Sequence, residues 1–106
     1  AIRELKYFEG VVEIVSETEL MDWKAQIDQL GISICPNSAV AVAGTMKLRE
    51  DGLINKVDNV VVILTAHGSK FTNSVVDYHQ DSSNQYANKA IIIHPDINEL
   101  ERVITA

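Results

Sequence analysis

Apolar residues follow two rhythms along the chain. Short apolar runs stand at Val11–Val15, Val60–Leu64 and Ala90–Ile93, and apolar residues at helical spacing fill much of the rest. Val60-Val61-Val62-Ile63-Leu64 is unbroken, which fits a strand buried on both faces of a parallel sheet covered by helices. Ile2, Leu5 and Phe8 read as the back half of a helix that Gly10 ends. Ser16-Glu17-Thr18-Glu19 is a capping box, with Val15 and Leu20 at the hydrophobic-staple positions. The helix it opens places Leu20, Trp23, Ile27 and Leu30 on one face and stops at Gly31. A further helix begins near Cys35-Pro36-Asn37, where proline suits the first turn, and ends at Asp51-Gly52. Its stretch Ala39–Gly44 is small and apolar all round, so burial on several sides is expected. Residues 72–89 are polar and read as a surface excursion with one helical turn near Val75 and Val76. Asp96 and Glu99 make a second capping-box pattern before Leu100, Val103 and Ile104. Strands alternating with helices predict an α/β fold, layered αβα around a mostly parallel sheet, with residues 1–106 forming one segment.

In open α/β sheets, ligands lie past the carboxyl ends of the strands. There the chain offers Thr65-Ala66-His67-Gly68-Ser69-Lys70: a hydroxyl, an imidazole, a glycine and an ammonium. On the residues alone Thr65 reads first as a strand-end threonine bonding its own backbone, and His67 as a structural hydrogen-bonder. Lys70 reads as a solvated or ion-paired lysine. Cys35-Pro36-Asn37-Ser38 opens a helix whose first N–H groups could meet an anion, or simply be capped by Asn37 or Ser38.

Leu64-Thr65-Ala66-His67-Gly68-Ser69-Lys70-Phe71 resembles the C-terminal cofactor strand of threonine synthases, which usually reads Thr-Gly/Ala-His-Gly-Leu-Lys. Ile34–Ala41 is similar to the start of that family's penultimate helix, with Lys47-Leu48-Arg49 and Gly52 following. Phe71-Thr72 and Asp77-Tyr78-His79 resemble the plant-type branch, as does Cys35 where other members often have Glu. Ser69 departs from the family's leucine. The resemblance implies the C-terminal part of a larger fold-type II enzyme dependent on pyridoxal 5′-phosphate. It implies Thr65, Ala66, His67, Gly68, Asn37 and Ser38 as cofactor-binding residues, Thr65 facing the pyridine nitrogen, and assigns no catalytic residue here. It further implies N-terminal segments with the Schiff-base lysine and phosphate loop as partners, O-phosphohomoserine as substrate, and compatibility with a homodimer. The cytoplasm, or the plastid stroma in a plant, is the expected location.

Composition narrows the alternatives. A net charge of −6 with scattered Lys and Arg argues against nucleic-acid binding. The lone Cys35 forms no internal disulfide and points to a reducing compartment. No apolar run approaches the roughly 18 residues of a membrane span. His67, His79, His94 and Cys35 lack metal-ligand spacing, and Ser69 sits in no Gly-x-Ser-x-Gly elbow. Two other classes remain open: a self-contained anion- or phosphate-binding or regulatory α/β domain, and a module that pairs through exposed sheet edges.

Overall fold

The computed structural model describes residues 1–106, about half of them helical. Helices α1 (Ile2–Tyr7), α2 (Glu17–Gln29), α3 (Pro36–Glu50), α4 (Thr72–Gln80) and α5 (Ile97–Thr105) follow one another, with a 3-10 turn at Gly68–Phe71. The expected parallel sheet is not formed. Segments 11–15, 60–64 and 90–93 pair with nothing, and the one β-bridge joins Ile34 to His67, antiparallel. A strand's N–H and C=O groups bond to a neighbouring strand, so an apolar run records that residues seek burial without supplying the partner. Here Val61 is 88% exposed and Ile92 94%. The radius of gyration is 17.6 Å, against about 13 Å for a compact domain of this length.

Packing centres on α2 and α3. The Ser16 capping box forms as expected: Ser16 Oγ accepts the Glu19 N–H at 3.3 Å, and Glu19 Oε2 accepts the Ser16 N–H at 2.7 Å. Gly31 closes α2 in the left-handed region at φ +84°, its N–H bonded to the Asp28 carbonyl at 2.9 Å. The buried face of α2 is nevertheless Met21, Lys24 and Ala25, while Leu30 of the predicted stripe is exposed. Leu20, Trp23 and Ile27 are half-buried, so the predicted stripe lies beside the most buried face, which includes a lysine that periodicity assigns to solvent. Of the small-residue stretch in α3, Ala39, Ala43 and Gly44 are buried but Val40 and Ala41 face outward, so burial is one-sided.

Where one helical turn was expected, α4 runs through Thr72–Gln80 and buries Tyr78 against Met21 and Ala25. The Tyr78 hydroxyl donates to Asp22 Oδ1. Burial, reinforced by that bond, pushes its pKa up to about 12. At α5, Asp96 Oδ1 accepts from the Asn98 and Glu99 amides, but Glu99 reaches back to the His94 N–H instead of the cap residue's own. The second box is therefore half reciprocal.

Lys47 ties α3 to the segment before α2. Its Nζ donates to the Ile14 carbonyl at 2.7 Å and lies 3.4 Å from Glu13 and 3.7 Å from Glu19. The Ile14 N–H holds the Glu13 carboxyl below its ordinary 4.5, and the Ser16 amide does the same for Glu19. Burial works against the Lys47 charge, yet the two carboxylates outweigh it and raise its pKa. Carboxyls with depressed folded values contribute stability that is complete above the ordinary 4.5 and lost as pH falls through the lowered values. Melting temperature is therefore expected to drop as pH falls below that range, with a smaller drop in Lys47→Met. Thermal scans from pH 6 to 3 test this, and an unchanged acid response in the variant would remove the clamp from the account.

Candidate functional site

The start of α3 and the segment after Leu64 meet. Proline at the first helical position removes a surplus donor. Cys35 then caps the helix, its Sγ accepting the Ser38 N–H at 3.4 Å. Neither Asn37 nor Ser38 is the cap. Ser38, one turn in and 1% exposed, points inward, and its Oγ accepts the Thr65 N–H at 2.9 Å. The same oxygen lies 3.2 Å from Cys35 Sγ and 3.5 Å from Thr65 Oγ1. One consistent orientation runs Cys35 S–H to Ser38 Oγ and Ser38 O–H to Thr65 Oγ1, which leaves the Thr65 proton for a ligand. Ser38 hydrogen bonds lower the Cys35 thiol pKa against the upward push of burial.

The Ile34–His67 bridge locks this arrangement. The Cys35 N–H donates to the Ala66 carbonyl at 3.1 Å, and the Gly68 N–H to the Ser33 carbonyl at 3.2 Å. Gly68 is buried, and a Cβ there would lie 2.6 Å from Ser33 Oγ and 2.8 Å from the Ile34 carbonyl oxygen. His67 is exposed and caps the 3-10 turn: Nδ1 accepts the Ser69 N–H at 3.1 Å and lies 3.0 Å from Ser69 Oγ. Serine in place of leucine at position 69 thus supplies a second partner for that ring. Asn37 is exposed, and its side chain makes no hydrogen bond. The structure therefore joins Ser38, Thr65, Ala66 and Gly68, with His67 at the edge and Asn37 apart.

Beneath the bridge lies a pair that sequence reasoning missed. Lys24 is 1% exposed, and its Nζ meets Asp28 Oδ2 at 2.5 Å. Asp28 Oδ1 accepts the Ile34 N–H at 3.3 Å. Lys24, Asp28, Ser33, His67, Gly68 and Ser69 contribute to the walls of a cavity of about 210 Å³, of which Thr65 is not a part. Spacing of four on a helix was the available signal, but such pairs ordinarily lie in solvent.

No family profile matches the chain. It is 46% identical over 87 residues to threonine synthase 2, chloroplastic, of Arabidopsis thaliana, covering 82% of this chain and 17% of that protein. Threonine synthase of Methanocaldococcus jannaschii is 31% identical over 90% of this chain and 22% of its own length. Cysteate synthase of Methanosarcina acetivorans is 38% identical over 58% of this chain and 15% of its own length. The chain thus spans about a fifth of the length of the curated relatives it matches.

Proposed function

The chain belongs to the threonine synthase family as a homologous segment, and from that we propose that it builds the ring-nitrogen wall of a pyridoxal 5′-phosphate site. The observation that carries the reading is the Ser38–Thr65 junction, which fixes the main chain of Thr65 at 2.9 Å while its side chain stays at the surface. The residues fit such a cofactor. Thr65 is partnered by a hydroxyl and by no carboxylate. A neutral donor suits an unprotonated pyridine nitrogen, whereas a carboxylate would hold that nitrogen as a cation. When bound, the cofactor supplies a conjugated ring that takes up electron density from the substrate.

Each residue of this chain then has a physical task. Ser38 orients the Thr65 backbone, Thr65 donates outward, Ala66 ties the segment to Cys35, and Gly68 permits close approach of two backbones. Asn37, exposed at the first turn of α3, faces outward as a further cofactor contact. Segments 11–15, 60–64 and 90–93 enter a mostly parallel αβα sheet completed by N-terminal parts of the enzyme, which also bring the Schiff-base lysine and the phosphate loop. Their exposed apolar side chains and the extended shape favour this over a self-contained domain. The proposed reaction of the whole enzyme converts O-phosphohomoserine and water to threonine and phosphate, with the isolated chain inactive. A stretch of 63 residues also matches an enzyme named cysteate synthase. No helix is long and apolar enough to cross a membrane, and the proposed location is the cytoplasm, or the plastid stroma in a plant.

Thr65→Val in the full-length enzyme is expected to lower kcat about tenfold, the rate equivalent of about 1.4 kcal/mol, with Thr65→Ser close to the parent. Steady-state kinetics beside the absorbance spectrum of the bound cofactor measure this. Unchanged turnover and spectrum in Thr65→Val would remove Thr65 from the site.

A further inference from the structure

The structure assigns Asp28, held by Lys24, as the positioning residue that sets the register of the two segments carrying the site. The inference rests on the cofactor reading above for its consequence, but not for its geometry. One carboxylate does two things at once: Oδ2 takes the Lys24 ammonium at 2.5 Å, and Oδ1 accepts the Ile34 N–H at 3.3 Å. Ile34 is one half of the bridge to His67, and it immediately precedes Cys35, whose N–H bonds to Ala66. From the other side, the Lys24 Nζ lies 3.3 Å from where a Cβ of Gly68 would stand. The pair therefore borders both segments of the bridge, one through a hydrogen bond and the other across the space beside Gly68.

A buried ion pair is weak evidence for stability, because desolvation of both charges offsets much of their attraction, and apolar residues of like size often do as well. Such a pair does fix geometry. Sliding the bridge by one residue would present a different amide to Asp28 Oδ1 and turn the neighbouring side chains to the opposite face. Ser38 could then no longer meet the Thr65 N–H, and the Thr65 hydroxyl would lose its orientation. Lys24 holds the carboxylate rotamer, Asp28 holds Ile34, and Thr65 is positioned through them.

Two double substitutions separate positioning from stability, since each removes the charge of both partners. Lys24→Met/Asp28→Asn retains an oxygen that can accept the Ile34 N–H; Lys24→Met/Asp28→Leu does not. In the full-length enzyme, hydrogen exchange in peptides covering 33–38 and 64–69 is expected to stay near the parent in the asparagine double. In the leucine double it should accelerate at least tenfold in those two peptides while peptides elsewhere stay within twofold of the asparagine double, with kcat lowered and KM within twofold. If leucine is not accommodated, Lys24→Met/Asp28→Ala carries the same expectation. Equal exchange in the asparagine and apolar doubles overturns the assignment, whatever Thr65→Val does. Altered exchange beside a silent Thr65→Val keeps the positioning role and ends the cofactor reading alone.

Discussion

Asp28→Ala is expected to destabilise the chain by about 3 kcal/mol or more, the low end of the range for breaking a buried ion pair by deleting one partner. Lys24 is left with its side chain 2% exposed and no carboxylate, while the partial exposure of Asp28, at 24%, tempers the loss. The Ile34 N–H loses its acceptor as well, and Ile34 is 1% exposed. An orphaned buried amide costs about 1–3 kcal/mol. Urea denaturation of parent and variant measures the difference through the midpoint. Removing Lys24 in the same molecule should recover much of it, because the dominant penalty is an unpaired buried ammonium. A loss below about 1 kcal/mol would mean that water already reaches the ammonium.

Gly68→Ala is expected to cost about 1–3 kcal/mol, the range for forcing atoms into a packed site. The reason is space, not backbone torsion, since Gly31 and Gly52 are the glycines with positive φ. Of the three atoms nearest the added methyl, Ser33 Oγ at 2.6 Å can rotate away. The Ile34 carbonyl oxygen at 2.8 Å belongs to the bridge backbone, and the Lys24 Nζ at 3.3 Å is pinned by Asp28. Relief must come from parting the two segments, so amide protection at Cys35 and Gly68 should fall with the stability. Ser69→Ala, one residue on and exposed, is the comparison, and it should leave both amides protected. Full protection in Gly68→Ala would show that the bridge yields without opening.

How much of this was legible in the sequence depended on how local each determinant is. The Ser16 box, the Gly31 stop and the start of α3 at Pro36 are written within a few residues, and all three form. The runs at 60–64 and 90–93 correctly signal residues that seek burial, but the sheet they imply needs neighbours that no local pattern names. The face of α2 went wrong at Lys24, because a lysine between apolar residues reads as solvent-facing until tertiary structure supplies Asp28 and Ile34. At the site, the motif resemblance selected both Ser38 and Thr65. What it did not carry is that Ser38 Oγ would take the Thr65 amide, a contact between residues 27 positions apart.

The bare segment 60–64 has a consequence for handling the protein. Val60-Val61-Val62-Ile63-Leu64-Thr65 holds no charge, proline or glycine, and Val61 and Ile63 stand open to water. Six β-branched or aliphatic residues of that kind are the composition that stacks into steric zippers. Until the segment is covered, solubility rests on neighbours such as Asp58 and Lys70 acting as charged gatekeepers on either side, and dilute solution or a chaperone would be the condition under which the chain stays out of fibrils.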